Sequence, residues 1–103
     1  MSRIQILDEA AEELDAAAAY VEREREGYAR VLLDEYAEKL RQIRRFPTSA
    51  PLVRDAPGDY ELRAFSLRRF RYSIIVGVIR GTSTIVAFAH HNRAPGYWHE
   101  RLG

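Results

Sequence analysis

Polar and apolar residues alternate from Arg3 to Leu7, with Ile4 and Ile6 set against Arg3 and Gln5, which predicts a short strand. Asp8 follows as the expected helix N-cap. From Glu9 to about Arg25 the apolar positions Ala10, Leu14, Ala17 or Ala18 and Val21 recur at three and four residues, while Glu12, Glu13, Asp15 and Glu22 lie elsewhere on the wheel. This is an amphipathic helix whose acidic face is expected to be solvated. Gly27 interrupts the pattern; Ala29, Leu32, Leu33, Tyr36, Leu40 and Ile43 then resume helical spacing until Pro47 forbids continuation. The first half therefore reads as a helical hairpin turning at Gly27.

Phe46 to Asp59, with Pro47, Pro51, Pro57 and Gly58, reads as a surface loop, and beyond it the apolar period drops from about 3.6 to about 2 residues. Three strands are predicted, at roughly Tyr60 to Leu67, Tyr72 to Ile79 and Ser83 to His90, the last two joined by a turn at Arg80-Gly81-Thr82. Both alternating sets of the middle segment are apolar (Tyr72, Ile74, Val76 and Val78; Ile75 and Ile79), as a central strand covered on both faces requires. The tail from Arg93, set apart by Pro95 and Gly96, is expected to form one helical turn carrying Tyr97, Trp98 and Arg101. Helices followed by strands imply an α+β fold, a single domain over residues 1–103, with the hairpin packed on one face of a small antiparallel sheet. The isolated N-terminal strand pairs most simply with an edge of that sheet.

Composition narrows the class without naming an activity. With 47% hydrophobic and 30% charged residues the chain lies in the globular range, and its apolar runs fall far short of the ~20 residues that span a bilayer. No signal peptide is expected, and the absence of cysteine removes thiolate chemistry and fits a reducing cytoplasm. Three histidines without converging partners imply no metal site, and no cofactor is expected. The net charge of +1 conceals an asymmetry: residues 1–40 hold 5 basic and 11 acidic side chains, the remainder 11 and 4. All 16 basic residues except Lys39 are arginine, whose planar fork suits phosphate and carboxylate. An anionic partner for the second half follows.

The order β-α-α-β-β-β, the helix-ending Arg45-Phe46-Pro47, the segment Arg69-Phe70-Arg71-Tyr72-Ser73-Ile74-Ile75 and above all the stretch His90 to Arg101 together resemble the RelE/ParE superfamily of type II toxin-antitoxin toxins (plasmid stabilisation proteins). The resemblance implies a cytoplasmic growth inhibitor neutralised by a cognate antitoxin. RelE-like members cleave messenger RNA on the ribosome; ParE-like members inhibit gyrase by binding it. Arg71 and His91 stand at positions similar to the phosphate-binding arginine and the histidine acid of the nucleases, and Tyr97 is the remaining candidate from the tail. Where glutamate-using relatives carry their base, this chain reads Ser49-Ala50-Pro51-Leu52, lysine is missing from that loop, and Asn92 follows the histidine where the nucleases have tyrosine. The ParE-like reading is therefore preferred, with a ribosome-dependent endonuclease and a non-toxic remnant as alternatives.

Each singled-out residue also has a plain structural role to weigh. His90 and His91 are adjacent, so they point to opposite faces of a strand, and each fits a hydrogen-bonded structural histidine. Arg63, Arg68, Arg69 and Arg71 are candidates for acidic antitoxin residues, and Arg93, Trp98 and Arg101 for contacts of the tail with antitoxin or target. The arginine turn also reads as charge that keeps a sheet edge from aggregating, and Trp98 as a pin that fixes the tail to the core.

Overall fold

A computed structural model describes residues 3–102. Strand β1 (Ile4–Ile6) leads into helices α1 (Asp8–Glu24) and α2 (Tyr28–Arg45), followed by strands β2 (Leu62–Ser66), β3 (Tyr72–Ile79) and β4 (Thr82–His90) and a 3-10 turn at His99–Leu102. The sheet order is β1-β4-β3-β2. β2, β3 and β4 form the expected antiparallel meander, but β1 runs parallel to β4, so the sheet is mixed. Asp8 is not the N-cap. Leu7 takes that position in extended conformation because its N–H still donates to the Ile85 carbonyl at 3.0 Å, carrying strand pairing up to the first helical residue.

The helices form the predicted hairpin, with Gly27 in the left-handed region at φ 89°. Glu22 reaches across that turn, its carboxylate accepting the Gly27 and Ala29 N–H groups at 3.0 Å each. These amides hold the Glu22 carboxyl below its ordinary value and cap a helix that begins without acidic residues in its first turn. Ala10, Ala17 and Val21 of α1 and Leu32, Tyr36 and Ile43 of α2 pack on Phe65, Ile74, Val76, Ile85 and Phe88 of the sheet.

The other face of the sheet is covered as well, by the tail. Leu62, Ile75, Val86 and Ala87 pack with Trp98 and Leu102, and the Tyr60 hydroxyl donates to the Leu102 carbonyl at 2.9 Å. A bulge makes this possible: Ile75 pairs with Ala87 and Val76 with Ile85, leaving Val86 as the extra residue. Val86 and Ala87 thus both face the tail while Ile85 and Phe88 face the helices. Gly77 allows β2 and β3 to approach closely, since a Cβ there would lie 2.8 Å from the Glu61 carbonyl oxygen. Tyr97 and Trp98 precede the 3-10 turn rather than lying in it, and only Arg101 of the three falls within His99–Leu102. Trp98 is 4% exposed. Trp98→Ala should therefore lower stability by about 3 to 5 kcal/mol, read as a drop in denaturation midpoint; an unchanged midpoint would place the indole outside the core.

Candidate interaction surface

The turn from β2 to β3 carries Arg68, Arg69 and Arg71 on the surface, and its backbone is anchored from below. Glu35, buried on the α2 face, accepts the N–H groups of Arg68 and Arg69 with its two carboxylate oxygens, while the Leu67 N–H donates to the Tyr72 carbonyl at 2.9 Å. A carboxylate satisfied by two amides holds the turn in one shape. The three guanidinium groups thus project from a fixed base, and among the described residues none of them is ion-paired.

Arg71 and His91 do come together. The His91 N–H donates to the Arg71 carbonyl at 2.9 Å, and His91 Nε2 lies 2.9 Å from the Ser73 hydroxyl, which is itself 2.9 Å from that of Ser66. The two hydroxyls bridge β2 and β3 and occupy one nitrogen of an imidazole that lies just past the end of β4. His90 turns the other way, its ring edge-on to Tyr72 with centroids 4.9 Å apart and its Nδ1 accepting the Asn92 N–H at 3.0 Å.

The tail residues converge on a group that sequence reasoning assigned to solvent. Glu13, at the margin of α1, accepts the Tyr97 hydroxyl at 2.6 Å, two Arg101 guanidinium nitrogens at 2.9 and 3.0 Å and the Phe88 N–H at 3.0 Å. Arg101 also donates to the Val86 carbonyl at 3.0 Å, and the Arg93 guanidinium lies 3.8 Å over the Tyr97 ring. Burial alone would raise the Glu13 pKa, but the bonds from Arg101, Tyr97 and Phe88 outweigh it and hold the carboxyl below its ordinary value. Burial and the Glu13 hydrogen bond push the Tyr97 phenol well up.

Of the residues singled out from sequence, Arg68, Arg69, Arg71 and Arg93 are exposed. Trp98 and Arg101 are turned inward, and Arg63 is tied to the Ala50 and Thr48 carbonyls at 2.7 and 3.2 Å. Glu13 was assigned to the solvated face and Glu35 and Ser73 were given no role, although the two glutamates lie in register with the buried stripes, Glu13 between Ala10 and Ala17 and Glu35 between Leu32 and Tyr36. A cleft of about 500 Å³ opens elsewhere, lined by Pro47, Tyr60, Val78 and neighbours, and includes neither Arg71 nor His91.

No protein-family model matches the sequence, and no curated protein does. Among solved structures, a chain described as "Chromosomal ParDE TA system from P. aeruginosa" superposes with a TM-score of 0.72 at 18% identity, over 87% of this chain and 96% of that one. The two chains share a fold. The likeness covers most of this chain, and the shared fold is the one that the resemblance read from the sequence implies.

Glu13 makes a stability prediction with a defined pH window. Its folded pKa lies below the ordinary 4.5, so its stabilisation is fully present above that value and is lost as pH falls through the folded pKa. Glu13→Gln should cost about 1.5 to 3 kcal/mol near pH 7, and denaturant titrations of the two proteins should converge on acidification below 4.5. A difference that persists unchanged in acid would mean that the charge of Glu13 is not what stabilises the cluster.

Proposed function

We propose that this chain is the toxin of a type II toxin-antitoxin module, a ParE-like growth inhibitor that binds a cellular target, gyrase by analogy, and is neutralised in the cytoplasm by a cognate antitoxin. The reading is carried by the likeness to a chain of a ParDE system over 87% of the sequence. The surface supports it chemically. Four exposed arginines, Arg68, Arg69, Arg71 and Arg93, three of them on a turn pinned by Glu35, offer pre-organised forks to the carboxylates of an acidic antitoxin segment.

The endonuclease reading draws its support from the Arg71 and His91 pair, joined through the backbone at 2.9 Å. Cleavage by attack of the 2′-hydroxyl on the phosphate, with the 5′-oxygen leaving, needs a base beside that pair. Tyr97 is a poor candidate because its hydroxyl already donates to Glu13 at 2.6 Å and its phenol is pushed up. Binding rather than cleavage is the better account of these side chains.

Three measurements test the proposal. The product of the adjacent gene should bind the purified chain, with affinity that weakens as salt rises; no binding at any ionic strength would remove the main support. Induced cells should filament rather than accumulate cleaved messages, and His91→Ala should leave growth inhibition within a few-fold of the parent. Rapid ribosome-dependent cleavage abolished by both His91→Ala and Arg71→Ala would replace the binding account with the enzymatic one.

A further inference from the structure

The end of α2 carries a second concentration of arginine that the proposed function does not use. Arg41, Arg44 and Arg45 fall within about one helical turn, where residues three and four apart are neighbours. All three are exposed, and among the described residues none makes an ion pair. Beside them Phe46 is 61% exposed. Together with Gln42 these residues line a shallow hollow of about 280 Å³.

The Phe46 backbone is firmly held although its ring is not covered. Its N–H donates to the Gln42 carbonyl at 2.7 Å, and its carbonyl accepts the Ser49 N–H at 3.0 Å and the Ser49 hydroxyl at 2.7 Å. Gln42 in turn donates to the Ser49 hydroxyl at 3.0 Å and accepts Lys39 Nζ at 3.2 Å. An aromatic ring exposed to water on a braced backbone is a ready-made stacking face. Arginine near a helix C-terminus favours the dipole, but that effect calls for neither three guanidinium groups nor an exposed ring.

We propose that Arg41, Arg44, Arg45 and Phe46 form a binding site for a single-stranded nucleic acid segment, with one base stacked on Phe46 and successive phosphates on the arginines. The hollow is open and shallow, which suits a strand passing over the surface better than an isolated nucleotide, whose binding relies on a concave pocket. An acidic peptide would satisfy the charges, but the apolar residue it would bring needs a pocket in which to be buried, and here the ring projects instead. The site lies about 15 Å along α2 from Glu35 and the arginine turn it anchors. It uses none of the four arginines assigned to the antitoxin, so either proposal can fail alone.

The test is fluorescence anisotropy of the full chain with end-labelled oligouridylate and oligothymidylate of about ten nucleotides at several salt concentrations. The affinity should fall with salt, and Phe46→Ala should weaken it by on the order of tenfold while Phe46→Trp restores it. Replacing Arg44 and Arg45 together by alanine should reduce the slope of log K against log salt by about 1.4. Arg30→Ala, which removes an exposed partner of Asp34 at the far end of α2, should change neither quantity. Melting curves should show every variant folded, and a Phe46→Ala protein that is unfolded is replaced in the test by Phe46→Ser and by the arginine variants. Absence of oligonucleotide binding, binding indifferent to all these changes, equal competition by ATP, or tighter binding of a glutamate-rich peptide containing leucine would each overturn the proposal.

Discussion

Strand β4 runs for nine residues and β1 for only three, so pairing along that side of the sheet stops where Leu7 meets Ile85. Beyond that point the Val86 carbonyl and the Phe88 N–H would face the start of α1 with no strand to take them. A buried unpaired backbone group costs about 1 to 3 kcal/mol. Glu13 and Arg101 substitute for the missing strand: the carboxylate accepts Phe88 N–H, the guanidinium donates to the Val86 carbonyl, and the two bond each other. One contact thereby joins the first helix, the last strand and the tail, which are far apart in sequence. The side chains of this pair are only 15% and 16% exposed, so removing either partner strands a charge that is largely out of water.

The same place explains how a short sheet can have two covered faces. Strict alternation along β4 would send Val86 and Ala87 to opposite sides. The bulge opposite Ile75 and Val76 turns both toward the tail, while Ile85 and Phe88 keep the helices. It also leaves Ile85 and Val86 with carbonyls directed to the same edge, one accepting Leu7 and the other Arg101. Tail attachment is thus a consequence of strand irregularity, and Trp98 then supplies the apolar area that makes the second core worth forming.

The elements were legible because their signals are local: the apolar stripes of α1 and α2, Pro47 as a stop, Gly27 as a turn and the doubly apolar Tyr72 to Ile79 as the centre of the sheet. The direction of β1 was not, since three alternating residues carry no information on parallel or antiparallel pairing. Asp8 had the composition of a cap but yielded the position to Leu7, whose pairing with Ile85 fixed its extended backbone. Within the site, Arg68, Arg69 and Arg71 are neighbours in the sequence itself, whereas Arg71 and His91 were linked only through the resemblance, and the pairing of Tyr72 with His90 is what brings them together. Glu13 was misjudged for a simple reason. A glutamate on a helix margin looks solvated unless its long-range partners are known, and Tyr97 and Arg101 lie 84 and 88 residues away.

The opposed charges of the two halves have an internal use that composition could not disclose. Carboxylates from the acidic half reach into the basic half at two points: Glu13 binds Arg101 and approaches Arg93 at 4.0 Å, and Glu35 takes the backbone amides of Arg68 and Arg69. The two contacts differ in outcome. Glu13 neutralises a guanidinium and turns it inward, whereas Glu35 engages only the backbone and leaves the side-chain charges outside. An acidic residue can therefore either remove an arginine from the surface or hold it there, according to whether it meets the fork or the peptide group. Arg63 follows the first course without any carboxylate, by donating to loop carbonyls. The positive charge left for partners is consequently set by which guanidinium groups the fold leaves unengaged, and it is densest at the β2 to β3 turn and at the end of α2, where exposed arginines lie close together in the chain.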